Sequence, residues 1–136
     1  EEIPGLKLAF DTGNPPLQVD YSGPEPRPMQ SSWEFYTRVR PHIEYVHIKD
    51  ATYNPKTKEE LYRFPGEGEG EVKRIVQDLL ETGYGGGFSM EPHMAVVYHD
   101  ASVTAEKSTR FENFSEYGRR FMRILSETGF PYSRKD

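Results

Sequence analysis

Three short apolar segments, each ending on a side chain that can hold a metal ion or move a proton, constrain the fold of this chain most strongly. The segments are residues 6–11, 45–50 and 88–91. At their polar ends they carry Asp11, His47 and Glu91. Short apolar runs bounded by proline, glycine or polar loops are typical of buried strands. The sequence therefore predicts three strands that deliver functional groups at their C-terminal ends.

The alternation of side chains predicts how these strands are used. Residues two apart share one face of a strand, so Tyr45, His47 and Lys49 lie opposite Val46 and Ile48. The other two segments also have one apolar face and one polar or small face, and their carboxylates lie on the polar face. A sheet with helices outside and polar groups directed toward a common axis has this pattern. A βα barrel is such a sheet, with its chemistry at the C-terminal ends of the strands.

Three further stretches predict helices, over residues 31–40, 71–82 and 109–128. The first opens on Ser31 and Glu34, the spacing of a capping box, and stops before Pro41. The second has apolar residues at i, i+3, i+4, i+7 and i+8 and ends at Gly83. The third is expected to leave its arginines, between residues 119 and 123, on a solvated face. Its predicted buried residues are Phe114, Tyr117, Phe121, Ile124 and Leu125.

Three long loops follow the three predicted strands. Five prolines forbid continuous regular structure in residues 12–30, which form either a surface excursion or a lid over the strand ends. Residues 50–70 are predicted to be loop throughout. Within them, residues 66–70 have the glycine spacing of a phosphate-binding loop, but their carboxylates would repel a phosphate, so a flexible hinge is favoured. The third loop, residues 92–107, contains three polar candidates for chemistry: His93, His99 and Asp100.

The length of the chain limits the architecture. Its 136 residues suffice for one domain, whereas a complete eight-stranded βα barrel takes roughly 250 residues. Three strand–helix units alone would leave exposed sheet edges and an uncovered polar face. The expected fold is therefore α/β, a partial (β/α)8 TIM barrel with about the last three strand–helix units. The chain is expected to be the C-terminal part of a barrel or one piece of a split one.

Composition excludes several classes of function. The formal net charge of -5 disfavours a nucleic-acid surface, which needs clustered lysine and arginine. The absence of cysteine excludes disulfide frameworks, thiolate metal sites and cysteine nucleophiles, and it fits a cytoplasmic protein. No apolar run approaches the ~20 residues that span a bilayer, and the first four residues do not resemble a signal peptide. We expect neither a nucleic-acid nor a membrane partner.

Asp11, His47 and Glu91 together offer two carboxylates and an imidazole. This donor set suits a divalent ion such as Mn²⁺, Mg²⁺ or Zn²⁺ and disfavours a thiophilic metal. Taken singly, a strand histidine is more often structural, and a carboxylate at a strand end often caps the next turn. The repetition at one place in three successive strands favours a shared metal site with positions left open for substrate oxygens.

The order and spacing of five motifs give the chain a family resemblance. The motifs are Phe-Asp-Thr-Gly-Asn at residues 10–14, Val-His-Ile-Lys-Asp at 46–50, the glycine turn at 66–70, Gly-Tyr-Gly-Gly at 83–86 and Ser-Met-Glu-Pro-His at 89–93. Together they resemble the C-terminal part of the xylose-isomerase-like sugar isomerase and epimerase superfamily, over nearly all of residues 1–136. The resemblance implies a TIM barrel with one divalent ion, first of all Mn²⁺, with Mg²⁺, Zn²⁺ or Co²⁺ as alternatives. Its implied ligands here are Asp11, His47 and Glu91, with a further glutamate on a strand that would precede residue 1.

The resemblance also implies a reaction. The chemistry would be proton transfer next to a sugar carbonyl through a metal-stabilised enediolate. Glu91 would act as ligand and as general acid/base. Lys49, Asn14 and His93 are the candidates for contacts with substrate oxygens. The implied partners are a small carbohydrate and a companion chain, or further copies of this chain, that supply the missing barrel strands.

Three other functions are weighed against this one. A keto-sugar lyase or hydratase would share the same metal and enolate chemistry, and an inactive barrel fragment or subunit would need no turnover. The apurinic endonucleases of the same superfamily bind three zinc ions, with a histidine where Asn14 stands and an Asp-X-His pair after the seventh strand. Residues 51–70 contain no histidine, so a nuclease is disfavoured. Asn14 also departs from the many ketose epimerases that have histidine there.

Overall fold

Strands and helices alternate along the chain, apart from three consecutive strands in its middle. The computed structural model describes residues 3–94 and 107–130, with only the backbone at 107–109. In chain order its elements are β1 (Leu8–Asp11), α1 (Ser32–Val39), β2 (Ile43–Ile48), β3 (Asp50–Asn54), β4 (Glu59–Arg63), α2 (Val72–Glu81), β5 (Gly87–Met90) and α3 (Lys107–Glu127). Short 3-10 turns, Pro15–Leu17 and Arg40–His42, precede and follow α1. The predicted loop positions beyond Met94, His99 and Asp100 among them, lie outside the described residues.

The three predicted strands form one parallel sheet in the order β1–β2–β5. The register places Asp11 beside His47, and His47 beside Ser89. Glu91 follows directly after β5, where its N–H donates to the carbonyl of Ile48 at 2.9 Å. The three predicted polar ends therefore meet at one end of the sheet. The first strand begins at Leu8, two residues later than the predicted segment, and a turn at residues 4–5 precedes it.

The predicted division of the sheet into two faces is confirmed in its central strand. Val46 and Ile48 are completely buried against the helices. The opposite face, here called the inner face, carries Ala9, Tyr45, His47 and Ser89. Ala9 and Tyr45 are exposed there, and the other two are partly exposed. Apolar burial thus lies on one side of the sheet, and the polar candidates lie on the other.

The core contains side chains from β1, β2 and all three helices. Its buried members are Phe10, Tyr36, Ile43, Val46, Ile48, Val72, Ile75, Val76, Leu79, Tyr117, Phe121 and Ile124. The predicted apolar stripe of α2 is confirmed, and the helix ends before Gly83, which has a φ of 81°. The prediction for α3 is wrong at Phe114, which is 48% exposed. No helix within residues 3–94 and 107–130 is both long and apolar enough to cross a membrane.

The helix ends follow the predicted chemistry only in part. The hydroxyl of Ser31 accepts the N–H of Glu34 at 3.2 Å and so caps α1. At the start of α2, Glu71 adopts a left-handed conformation with a φ of 53° and provides no side-chain cap.

Arg119 lies on the predicted solvated face of α3, but Arg120 packs over the ring of Phe64, 3.9 Å from its centroid.

Two predictions about residues 50–70 are wrong. The segment is not loop throughout, because β3 and β4 pair as an antiparallel hairpin with Asp50 opposite Arg63. Residues 66–70 are not a flexible hinge, because three of their backbone N–H groups donate to the side chain of Asp50 at the start of β3. The proline-rich residues 12–30 contain an isolated bridge between Val19 and Met29, and their function as a lid stays a prediction.

Candidate metal centre

Asp11, His47 and Glu91 are brought together at the C-terminal end of the parallel sheet. Each offers one ligand atom, and these atoms all lie within 4.8 Å of one another. A single divalent ion bound by carboxylate oxygen and imidazole nitrogen fits such a group. The structure therefore provides a set of residues that can bind a metal ion, while the identity of the ion stays a prediction.

Asp11 is held in place by the turn that follows β1. Its Oδ1 accepts the N–H groups of Gly13 at 2.8 Å and Asn14 at 2.9 Å, which leaves Oδ2 available for other partners. The buried hydroxyl of Thr12 donates to the carbonyl of Lys49 at 2.6 Å and joins the ends of β1 and β2. A Cβ on Gly13 would lie 2.9 Å from the carbonyl carbon of Lys49, so glycine permits this close approach.

The two carboxylates of the site lie close enough for each to affect the pKa of the other. Burial and a hydrogen bond to Glu91 together raise the pKa of Asp11 to about 6, against the opposing effect of Lys49. Burial also acts to raise the pKa of Glu91, but the hydrogen bond from Asp11 and the nearby His93 outweigh it and lower that pKa. As the pH falls, Asp11 is therefore the first of the two carboxylates to take up a proton, and a bound cation would compete with that proton.

Two imidazoles flank Glu91. The Nδ1 of His47 lies 3.5 Å from Oε2, and the Nε2 of His93 lies 3.5 Å from Oε1. The His47 ring also meets the edge of Tyr45 at a centroid distance of 5.8 Å on the inner face. His93, predicted as a substrate contact, therefore lies beside Glu91, the carboxylate that is predicted to act as general acid/base.

Lys49 and Asn14, the other two predicted substrate contacts, lie on the Asp11 side of the site. The Nζ of Lys49 donates to Oδ1 of Asn14 at 2.6 Å and lies 3.8 Å from Oδ2 of Asp11. The lysine side chain is only 8% exposed. All six predicted site residues thus lie in one neighbourhood, and the roles assigned to them stay predictions.

Asp50 is a buried residue whose role beside the site was not predicted from the sequence. Its Oδ1 accepts the N–H groups of Gly70 at 2.8 Å and Ala51 at 3.0 Å. Its Oδ2 accepts those of Gly66 at 2.8 Å and Gly68 at 3.0 Å. Burial raises the pKa of Asp50, and the four N–H groups oppose that effect. The glycine turn, residues 66–70, therefore binds an anion, but the anion is the chain's own carboxylate.

Tyr62 is a second residue that the sequence did not single out. It lies on β4, and its ring borders both Lys49 and His93. The apolar and aromatic residues Leu61, Tyr62 and Phe64 were the available signal for a strand here. The charged residues before it favoured a loop instead.

A cavity of about 750 Å³ lies elsewhere, between the starts of α1 and α2 and the hairpin. Ser31, Tyr53, Glu69 and Arg74 are among its lining residues, and none of the three candidate ligands is. Because this cavity contains no convergent ligand set, the chemistry of the strand ends identifies the better candidate site.

No protein-family model matches the sequence, and no curated protein matches it either. Among solved structures, the chain is similar to the crystal structure of a xylose isomerase domain protein from Planctomyces limnophilus, with a TM-score of 0.63 and 16% identity. The match covers 94% of this chain and 38% of that one. The similarity supports an α/β fold of the xylose-isomerase-like kind. The described residues form three parallel strands of such a fold and not the closed barrel.

Proposed function

We propose that this chain contributes to the active site of a divalent-metal-dependent sugar isomerase or epimerase. The observation that carries the proposal is the meeting of Asp11, His47 and Glu91 ligand atoms, within 4.8 Å of one another, at the ends of three parallel strands. Placement at the C-terminal ends of strands is where βα folds carry their chemistry. The similarity to a xylose isomerase domain protein supports the same fold and suggests the class of reaction.

The ion would be held by Asp11, His47 and Glu91, with Mn²⁺ first among the candidates. When bound, it would supply Lewis-acid polarisation of a substrate carbonyl. Glu91 would be one of a pair of glutamates, of which one removes a proton from the carbon beside that carbonyl and the other returns it to the same carbon or its neighbour. The pKa of Glu91 is held below its ordinary value, so this carboxylate is in the ionised form that a general base requires.

Lys49 would bind and orient the substrate. Its ammonium group is held by Asn14 and lies beside Asp11, so one of its remaining N–H bonds can donate to a substrate oxygen. Negative charge that develops on that oxygen during proton removal would be stabilised by the ammonium group. His93 would hold the carboxylate of Glu91 in the orientation that the transfer needs.

We further propose that additional strand–helix units cover the inner face, on a companion chain or on further copies of this chain. Two observations support this arrangement. Ala9 and Tyr45 are exposed on the inner face, where a barrel would enclose them. Within the described residues β1 pairs only with β2, and a groove of about 400 Å³ lined by Leu8, Phe35 and Val39 runs along its other side. A fourth metal ligand would come from those units.

The substitution Glu91→Gln tests the proposed function. We expect the wild-type protein to bind one Mn²⁺ per chain, and we expect Glu91→Gln to weaken binding at least tenfold and to abolish turnover while the fold persists. Isothermal titration calorimetry measures the affinity, and circular dichroism reports the fold. Glu44→Gln, which removes an exposed carboxylate from the opposite end of β2, is the matched control and should bind Mn²⁺ normally. Retained turnover in Glu91→Gln would contradict the catalytic role.

A further inference from the structure

We infer that Tyr62 is a substrate-contacting residue that sets specificity through its aromatic ring. In this role, which rests on the proposed function, the ring packs against the carbon skeleton of a carbohydrate held at the Asp11, His47 and Glu91 centre. Tyr62 belongs to the hairpin rather than to a strand of the parallel sheet. It is therefore a functional candidate that the pattern of strand ends does not account for.

The hairpin holds Tyr62 firmly beside the end of β2. The register of β3 and β4 pairs Tyr62 with the buried Ala51, which follows directly after Asp50. The turn that follows β4 is fastened to the same point, because Gly66, Gly68 and Gly70 donate to the Asp50 carboxylate. The strand that carries Tyr62 is therefore paired with β3 along its length and fastened beyond its C-terminal end, as a residue that positions a substrate requires.

The ring of Tyr62 spans the two sides of the candidate metal centre. Its centroid lies 5.6 Å from the Nζ of Lys49 and 4.9 Å from the ring centroid of His93. Lys49 is the neighbour of Asp11, and His93 is the neighbour of Glu91. A molecule bound between the two carboxylates would therefore meet the Tyr62 ring on that side.

The hydroxyl of Tyr62 is hydrogen-bonded to another residue, so the proposed substrate contact belongs to the ring. The hydroxyl donates to Oε2 of Glu60, on its own strand, at 3.0 Å. Burial and the Glu60 carboxylate raise the pKa of Tyr62 to about 12, with smaller contributions from Asp11 and Glu91. The phenol therefore stays protonated near neutral pH and does not serve as a base.

The surroundings of the ring define the class of ligand. Carboxylates, an ammonium group and two imidazoles bind hydroxyl and carbonyl oxygens, whereas an aromatic ring packs on an apolar surface. A five- or six-carbon sugar or polyol carries both kinds of surface, with oxygens along one edge and C–H groups along its face. A purely charged ligand such as inorganic phosphate offers nothing for the ring to pack against.

Tyr62→Leu and Tyr62→Phe separate a substrate contact from a structural support. Calorimetry on the purified protein, with any chain that copurifies, measures the affinity for Mn²⁺ and then, at saturating Mn²⁺, for D-xylose, D-fructose and xylitol. We expect Tyr62→Leu to weaken binding of at least one of these probes about three- to tenfold, the scale of an aromatic contact. Tyr62→Phe should stay within about twofold of the wild type, and neither variant should change the Mn²⁺ affinity. Leu61→Ala, which removes an exposed neighbour on the opposite face of β4, is the control and should change neither affinity.

Each contrary result has a distinct meaning. Unchanged probe affinity in Tyr62→Leu overturns the role of Tyr62 alone. A loss of Mn²⁺ affinity in Tyr62→Leu that is as large as the loss of probe affinity also overturns the role of Tyr62, because the ring would then only support the metal ligands. A wild-type protein that binds Mn²⁺ but none of the three probes overturns the ligand class together with Tyr62. A wild-type protein that binds no Mn²⁺ removes the proposed function itself.

Discussion

At the scale of single residues, the opposite pKa shifts of Asp11 and Glu91 are the most direct consequence of their closeness. Two carboxylates this near each other do not both ionise readily, and the more buried one keeps the proton. Asp11 has the raised pKa and Glu91 the lowered one, so the environment assigns different states to two chemically similar groups. Lys49 limits the effect, because its ammonium group favours the ionised form of Asp11.

This closeness predicts the titration of Asp11. In the metal-free protein its carboxyl group should titrate near pH 6, well above its ordinary value of 3.8. Lys49→Met should raise that pKa further, because it removes the neighbouring positive charge. Carbon-13 NMR of the side-chain carboxyl groups measures both values.

The raised pKa of Asp11 also predicts how the stability of the fold changes with pH. The folded-state pKa of Asp11 lies above its unfolded value, so ionisation of Asp11 favours the unfolded chain. Its contribution to stability is fully present below about pH 4 and is lost as the pH rises through about 6. An Asp11 that titrates near 4, or a lower pKa in Lys49→Met, would contradict the account.

At the scale of elements, the hairpin and the glycine turn hold the end of β2 in place. Three hydrogen bonds to the carboxylate of Asp50, the first residue of β3, join the region just after β2 to a turn that lies 16 to 20 residues later in the chain. A Cβ on Gly68 would lie 2.3 Å from Oδ1 of Asp50, which is closer than the two atoms can approach. The turn therefore needs glycine for close packing around an anion rather than for flexibility.

Gly68→Ala should therefore destabilise the fold. We expect a loss of about 2 kcal/mol or more in the free energy of unfolding, since the carboxylate or its donors must move apart. Urea denaturation followed by circular dichroism measures the change. Gly85→Ala is the matched control, because nothing lies within 4 Å of the position its Cβ would take. Equal stabilities for the two variants would contradict the anchoring function of the turn.

Local pattern predicts the regular elements well and the hairpin poorly. The apolar periodicity of α2 and the capping serine of α1 act within a few residues, so the sequence reveals both helices. The hairpin was missed because residues 54–60 are polar and charged, as in a solvated loop. The partner of the glycine turn was missed because Asp50 is distant in sequence. The meeting of Asp11, His47 and Glu91 was predictable, since parallel strands bring their C-terminal ends together.

At the scale of the whole molecule, the inner face and the groove beside β1 are the surfaces that further strand–helix units would cover. An open strand edge with an apolar groove beside it is a ready surface for association. Phe35 on α1 lines this groove and stacks on the core residue Phe10 at a centroid distance of 6.2 Å. We therefore expect the groove to be an interface in the assembled protein.

Phe35→Glu should disrupt that assembly. A charge in an apolar interface is costly to bury, so the variant should elute at a smaller mass than the wild type and bind Mn²⁺ more weakly. Size-exclusion chromatography with light scattering measures the mass. Met122→Glu is the matched control, because Met122 is 38% exposed on α3 and Phe35 is 37% exposed. A wild-type protein that is a lone monomer would contradict the expected assembly.

Pulsed electron paramagnetic resonance of the Mn²⁺-loaded protein tests most directly whether Asp11, His47 and Glu91 share one ion. The account predicts one bound Mn²⁺ per chain, with a coupling to an imidazole nitrogen that disappears in His47→Asn and persists in the exposed control His42→Asn. A protein that binds no Mn²⁺, or a nitrogen coupling that is unchanged in His47→Asn, would contradict the metal centre.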